Sequence, residues 1–235
     1  VVGGNVIEIV IGGAPFNPEV EAFLRKINFP YTIAYGMTEC APLICHSRWD
    51  EILYTSCGKT VANMETRVIS EDPERIPGEL VCRGMNVMLG YYKNENATAQ
   101  TIDKDGWLHT GDLARMDEEG FYYITGRKKN LIITNNGKNV SPEELEDKLS
   151  QRCHAIHEIL VSQEGNKIVA EVYPYYEDYG KEADQLIKDA VNQFNRDMPR
   201  WKNIDKLEFR SEEFPKTTTL KIRRNYKELE KAGKI

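Results

Sequence analysis

Three polar clusters in this chain hold residue types that could do chemistry. Tyr35-Gly36-Met37-Thr38-Glu39 sets a hydroxyl and a carboxylate at the end of a predicted strand. Such oxygen donors suit phosphate groups and Mg²⁺, a hard cation. The same residues also read as a strand-to-loop turn with a solvated glutamate. Gly106-Trp107-Leu108-His109-Thr110-Gly111-Asp112 places an acceptor-only side chain after a tight glycine turn. Aspartate there could accept hydrogen bonds from two vicinal hydroxyls, or simply close a turn. Gly126-Arg127-Lys128-Lys129-Asn130 is a basic turn between two strand-like segments and reads equally as a solvated hinge. Gly58-Lys59-Thr60 imitates the end of a phosphate-binding loop, but the glycine required five residues earlier is Leu53, so ATP binding there is rejected.

The elements that must hold these clusters change character along the chain. Val6 to Ile11 is a short apolar strand running into Gly12-Gly13-Ala14-Pro15. Asn17 then caps a helix with Pro18 at its first position. Val20, Phe23, Leu24 and Ile27 share one face of it. Asn28 ends the helix, and Tyr31 to Ala34 forms the next strand. This strand–helix–strand unit suggests the edge of an α/β sheet, with its turns at the carboxyl ends where such sheets bind ligands. Residues 56 to 125 hold short strands between turn signals, a pattern of a small β-barrel or a strongly twisted sheet. Ser141-Pro142-Glu143-Glu144 is a predicted capping box, with Glu144 reaching back, ahead of a helix to about Ser150. A hairpin turning at Glu164-Gly165-Asn166 follows. Then come an amphipathic helix (Ala183, Leu186, Ile187, Ala190, Val191, Phe194, Met198), a strand from Lys206 and a terminal helix, together a compact α+β domain.

Composition narrows the classes. With 235 residues, 40% of them hydrophobic, the chain can bury one large core or two small ones. A net charge of −6 argues against nonspecific nucleic-acid binding, which needs clustered positive charge. No apolar run approaches the roughly 20 residues that span a bilayer. Five cysteines without CxxC pairing read as buried, reduced thiols of a cytoplasmic protein. His154 and His157 lack partners for a zinc set and read as surface residues. Val1 opens directly on a buried-looking strand, which suits a piece of a longer chain better than a natural start.

Taken together and in order, the motifs carry more than each does alone. The chain resembles the adenylate-forming superfamily of acyl-CoA synthetases, luciferases and peptide-synthetase adenylation domains. The resemblance rests on the Gly-Gly-Ala-Pro turn, Tyr35 to Glu39, Gly78 to Gly84 with Gly90-Tyr91-Tyr92, Gly106 to Asp112, Gly126 to Lys129, and Pro215 to Arg223. It implies the end of a large AMP-binding domain (residues 1–127; an α/β edge plus a small β-barrel) and a mobile α+β domain (128–235). The implied chemistry has two steps. A carboxylate attacks the α-phosphate of ATP, and a thiol such as CoA then displaces AMP.

Carried over residue by residue, the resemblance makes Tyr35 the aromatic that stacks on adenine, with Gly13, Ala14 and Pro15 along the same pocket and Gly36 and Met37 beside it. Thr38 becomes a phosphate contact and Glu39 the Mg²⁺ ligand. Asp112 becomes the carboxylate gripping the ribose hydroxyls, and Arg127 a second ribose contact. Lys221 is implied to be the mobile lysine of adenylation, Lys128 the hinge, and Gly137 part of the loop that approaches in the thiol-transfer state. Lys129 and Lys216 read as solvated charges. Met37, where peptide-synthetase domains usually carry proline, favours an acyl-CoA synthetase. Leu220 before Lys221 resembles bacterial long-chain fatty acyl-CoA ligases, yet leucine takes a positive φ less cheaply than glycine. The expected partners are therefore a fatty acid and CoA, with membrane contact through the substrate. A nucleotide- or CoA-binding module and transfer to an acyl carrier protein remain as alternatives. The family's Ser/Thr/Gly-rich phosphate loop is not among these 235 residues, so the chain alone is expected to be inactive.

Overall fold

The computed structural model describes residues 4–218 and 220–233. The chain folds as two compact units, residues 1–129 and 130–235.

In the first unit, β1 (Ile9–Ile11) lies parallel to β2 (Tyr31–Ile33), joined through α1 (Pro18–Lys26). Parallel neighbours require such a crossover. Asn17 caps α1 by accepting from Glu19 N at 2.8 Å and Val20 N at 3.2 Å, and Pro18 starts it. Asn28, at φ 51°, stops it in the left-handed conformation that ends many helices. The apolar stripe does not face inward here. Val20, Phe23 and Ile27 stay exposed, while the buried residue of α1 is Glu21, whose carboxylate accepts from Tyr31 Oη at 3.0 Å and Thr55 N at 3.1 Å.

β3 (Tyr35–Gly36), β4 (Leu43–His46) and β5 (Lys59–Thr60) form a three-stranded antiparallel sheet. A 3₁₀ turn, Thr38–Cys40, separates the first two. β6 (Met64–Ile69), β7 (Gly78–Gly84), β8 (Leu108–Met116) and β9 (Tyr122–Arg127) form a four-stranded antiparallel sheet in chain order. The helix α2 (Glu95–Thr101) lies between β7 and β8 in sequence. Of the two sequence expectations, a small β-barrel or a strongly twisted sheet, no closed barrel is present among the described residues: β6 and β9 do not pair. Beyond β9 the chain ahead of β5 extends the bonding, with Cys57 N donating to Tyr122 O at 2.9 Å and Tyr122 N to Gly58 O at 3.0 Å. Cys40, Ile44, Cys45, Val68, Leu80 and Leu108 are among the residues that fill the core. All five cysteines of the chain are free and buried.

The second unit opens with the hairpin β10 (Ile132–Ile133) and β11 (Asn139–Val140), then α3 (Pro142–Arg152). β12 (Ile156–Glu164) and β13 (Lys167–Pro174) pair antiparallel. After α4 (Tyr176–Tyr179) and α5 (Glu182–Asp197), β14 (Lys206–Phe209) adds parallel to β13, and α6 (Tyr226–Lys231) ends the unit. Ala183, Ile187, Val191 and Phe194 of α5 and Leu145 and Leu149 of α3 enter one core with sheet residues such as Val161 and Val172. Leu186, placed by the sequence on the inner stripe, is exposed.

The capping box does not form. Ser141 makes no cap hydrogen bond, its hydroxyl bonding Glu143 at 3.0 Å instead. Glu144 is drawn away by Lys148 and Lys202, each at 2.7 Å. Lys216 is not a solvated charge either: Glu158 and Glu213 both hold it at 2.6 Å.

Glu146, on α3, gives this unit a pH dependence. Burial is the main influence and pushes its carboxyl up to about 7, against the Arg224 guanidinium and the Val161 amide at 2.6 Å, while Glu143 adds to the rise. A carboxyl raised in the folded state binds its proton more tightly there. Its contribution to stability is complete below the unfolded value and lost as pH rises through about 7. Melting temperatures measured from about pH 5 to 8 should therefore decline more steeply for the wild type than for Glu146→Gln, which titrates nothing in that window.

Candidate nucleotide and magnesium site

The register of the first unit builds this site. Parallel pairing puts the carboxyl ends of β1 and β2 side by side, and Ala34 N bonds Ile11 O at 2.8 Å. The Gly12-Gly13-Ala14-Pro15 turn thus leaves one strand end beside the segment that runs into Tyr35. Gly13 adopts φ 88°, a conformation open to glycine at little cost. Gly36 is obligatory for a different reason: a Cβ there would lie 1.9 Å from Pro42 O.

Tyr35 is half-buried and donates its hydroxyl to Asp112 Oδ2 at 2.6 Å. On the other side Arg127 Nε meets Asp112 Oδ1 at 3.1 Å, as expected of direct register partners on β8 and β9. Thr110 Oγ1 accepts from Asp112 N at 3.1 Å and fixes the turn. Burial, with the Asp112 charge next, pushes the Tyr35 phenol far above its ordinary value, so it remains a donor at any working pH. One nearly buried carboxylate therefore has both oxygens held, one by a rigid neutral donor and one by an exposed cation. An incoming pair of vicinal hydroxyls would meet acceptors already aimed and charged.

Thr38 and Glu39 occupy the 3₁₀ turn after β3, with Thr38 exposed. Among the described residues no lysine or arginine pairs with Glu39; its carboxylate accepts the Tyr91 hydroxyl at 2.8 Å. A carboxylate and a hydroxyl not neutralised by a cation match the sparse protein donor set of Mg²⁺ sites, where phosphates and water complete the shell. Met37 packs against the buried core of this unit.

Lys128 carries a partner the sequence did not reveal. Its Nζ lies 2.8 Å from Glu79 Oε2, which His109 Nδ1 also approaches at 3.2 Å. Burial raises the Glu79 carboxyl, and the hydrogen bonds from Lys128 and His109 outweigh it, holding the group below its ordinary range. Lys129 is exposed.

The remaining sequence candidates belong to the second unit. Gly137 turns the β10–β11 hairpin at φ 72°, with its N–H on Thr134 O at 2.8 Å. Lys221 is exposed on the loop after Pro215, where Thr217 N donates to Lys221 O at 2.8 Å and Lys221 N to Thr217 Oγ1 at 3.1 Å. Leu220 adopts φ 61°. The left-handed conformation expected of glycine is kept in its absence, at a penalty of about 1–3 kcal/mol for a non-glycine residue. Thr219 lies outside the described residues.

Comparison with known proteins gives the family. The family described as "AMP-binding enzyme" matches residues 3–92. A long-chain-fatty-acid–CoA ligase of Escherichia coli O157:H7 is 36% identical over 231 residues, covering 95% of this chain and 40% of that protein. The chain belongs to the AMP-binding, adenylate-forming enzyme family. A long-chain-fatty-acid–CoA ligase of Gallus gallus is 39% identical over 159 residues, 68% of this chain and 21% of its own length. The chain thus spans well under half of these curated relatives. Among solved structures, the o-succinylbenzoate CoA synthetase of Bacillus subtilis in complex with its acyl-adenylate intermediate superposes with a TM-score of 0.82 at 27% identity, covering 94% of this chain and 46% of that one. The same enzyme in complex with ATP and magnesium ion gives 0.77 at 27% identity, covering 93% and 45%.

Proposed function

We propose that this chain is the nucleotide- and carboxylate-handling part of an ATP-dependent acid–CoA ligase whose acid is a long-chain fatty acid. The observation that carries the reading is Asp112 with both oxygens engaged, by Tyr35 at 2.6 Å and Arg127 at 3.1 Å, an acceptor pair suited to two vicinal hydroxyls. Tyr35 stacks on adenine beside Gly13, Ala14 and Pro15, Asp112 and Arg127 hold the ribose, Thr38 contacts phosphate, and Glu39 supplies a carboxylate to Mg²⁺. That ion, when bound, neutralises phosphate charge as it develops.

In the first step a carboxylate oxygen of the fatty acid attacks the α-phosphorus and the bond to pyrophosphate breaks, with Lys221 near the developing charge. In the second, the CoA sulfur attacks the acyl carbonyl and AMP leaves with the bonding electron pair. Residues 1–127 and 128–235 act as the two domains, with Lys128 as the hinge and Gly137 on the thiol-transfer face. The long-chain acid rests on the names of the curated relatives, and we assign the protein to the cytoplasm.

The chain spans 40% of the length of its Escherichia coli O157:H7 relative, and we assign the activity to the longer protein that carries it. Incubated with ATP, Mg²⁺, CoA and palmitate, the chain alone should release no palmitoyl-CoA. A full-length protein carrying it should do so, and with palmitate in preference to o-succinylbenzoate. Robust turnover by the chain alone, or no turnover by the full-length protein with any acid, overturns the reading. Acyl carrier protein assayed in place of CoA separates the two acceptors.

A further inference from the structure

Tyr91 stands outside every motif role assigned above, yet its hydroxyl donates to Glu39 Oε1 at 2.8 Å across 52 residues of sequence. A solvent-facing tyrosine can touch a carboxylate by accident, and such a contact alone would mean little. Here Asn86 and Met88 of the same loop are also attached to the Glu39 turn and the strand after it. Met88 N donates to Glu39 O at 2.8 Å. The Asn86 side-chain amide donates to Cys40 O at 2.7 Å and Leu43 O at 3.0 Å, on the backbone that follows Glu39, and also lies 3.2 Å from Met64 Sδ.

The position of Tyr91 itself is fixed from the other side. Its N–H donates to Thr98 Oγ1 at 2.9 Å, and the Thr98 hydroxyl donates in turn to Asn94 O at 2.9 Å. Gly90, at φ 150°, lets the chain pass so close to Thr98 that a Cβ would lie 2.9 Å from its methyl. Backbone and side chain of Glu39 are thus held by one loop, which is more than a chance contact supplies.

We propose that Tyr91 is a positioning residue for the magnesium-binding carboxylate. Its hydroxyl holds one oxygen of Glu39 and leaves the other for the cation, so that the carboxylate does not have to be ordered when MgATP arrives. Orienting a carboxylate beforehand removes a side-chain entropy cost from binding. This inference rests on the assignment of Glu39 to Mg²⁺.

The test uses Mn²⁺ as the probe in the full-length protein that carries the chain, with affinity in the presence of ATP read from the electron paramagnetic resonance signal of free Mn²⁺. Glu39→Gln should weaken Mn²⁺ binding at least tenfold. Tyr91→Phe should weaken it about fivefold, the loss of one hydrogen bond. Metal-free AMP affinity and melting temperature should stay unchanged in Tyr91→Phe, since the ring remains. If Glu39→Gln weakens the metal but Tyr91→Phe does not, the positioning role is overturned while the magnesium assignment stands. A Tyr91→Phe that lowers AMP affinity equally shows a general loop effect and overturns it too. Unchanged Mn²⁺ affinity in Glu39→Gln, or no binding by the wild type, overturns both.

Discussion

Lys221→Ala should slow acyl-adenylate formation by ~10²–10³-fold in the full-length protein, while thioester formation from supplied palmitoyl-adenylate stays within about threefold. The first step brings a carboxylate anion onto a polyphosphate anion, and compact positive charge at that contact is worth most where water is excluded. The second step has a thiol attacking a neutral carbonyl, with no comparable meeting of anions. Lys221→Arg should recover only part of the first rate, because a planar fork replaces a point charge on a flexible stem. ATP–pyrophosphate exchange reads the first step, and CoA consumption with synthetic palmitoyl-adenylate reads the second. Equal losses in both would place Lys221 elsewhere in the mechanism. The backbone beside it supports a specific role. Leu220 holds φ 61°, and strain of that kind persists where surrounding structure enforces it. Here the Thr217–Lys221 backbone bond and the Thr217 hydroxyl close the turn around it.

Much of the fold was legible because local chemistry and tertiary packing agree. Asn17-Pro18 starts a helix in the sequence and in the structure, since a cap and a prolyl φ need no distant partner. The Glu164-Gly165-Asn166 turn likewise joins β12 and β13 as read. The failures fall where long-range partners decide. Glu144 fits a capping box by spacing, but Lys202, 58 residues away, captures its carboxylate. The short strands between turn signals fit a barrel or a twisted sheet equally, and only the long-range pairing, with β6 and β9 left unpaired to each other, decides between closure and an open sheet. On α1 the apolar stripe suggested an inward face, while the buried Glu21 network with Tyr31 and Thr55 could not be read from helix periodicity.

The site divides in the same way. Residue types and order pointed to Tyr35, Asp112 and Arg127, but the Tyr35–Asp112 hydrogen bond spans 77 residues and no spacing rule reaches it. Glu79 carries a signal of its own in the sequence. It sits in Gly78-Glu79-Leu80-Val81-Cys82, a run buried throughout, and a carboxylate inside such a run needs partners. Lys128 and His109 are those partners. Tyr91 lies in the Gly90-Tyr91-Tyr92 motif, but nothing local points to Glu39 as its partner, because that contact depends on a loop folding back across 52 residues.

Asp112→Asn should lower AMP affinity by about 10–100-fold, the range expected when charge-assisted hydrogen bonds become neutral. The substitution keeps the size of the side chain and removes its charge, so the two neighbours respond differently. Tyr35 can still donate to the amide oxygen. Arg127 loses its anion, and the asparagine amide, if turned toward it, presents donor to donor. The ribose then meets at most one good acceptor where two stood. Tyr35→Phe provides the comparison: it keeps the ring for stacking and frees one Asp112 oxygen, so AMP affinity should fall less than about tenfold. Arg127 is more than half exposed, and solvent screens its pairing with Asp112, so Arg127→Ala should fall between these two variants. Calorimetric titration of AMP into the four proteins tests the order wild type, Tyr35→Phe, Arg127→Ala, Asp112→Asn. An Asp112→Asn protein that binds AMP as the wild type does would remove the ribose role from Asp112, and with it the observation on which the nucleotide reading of this unit rests.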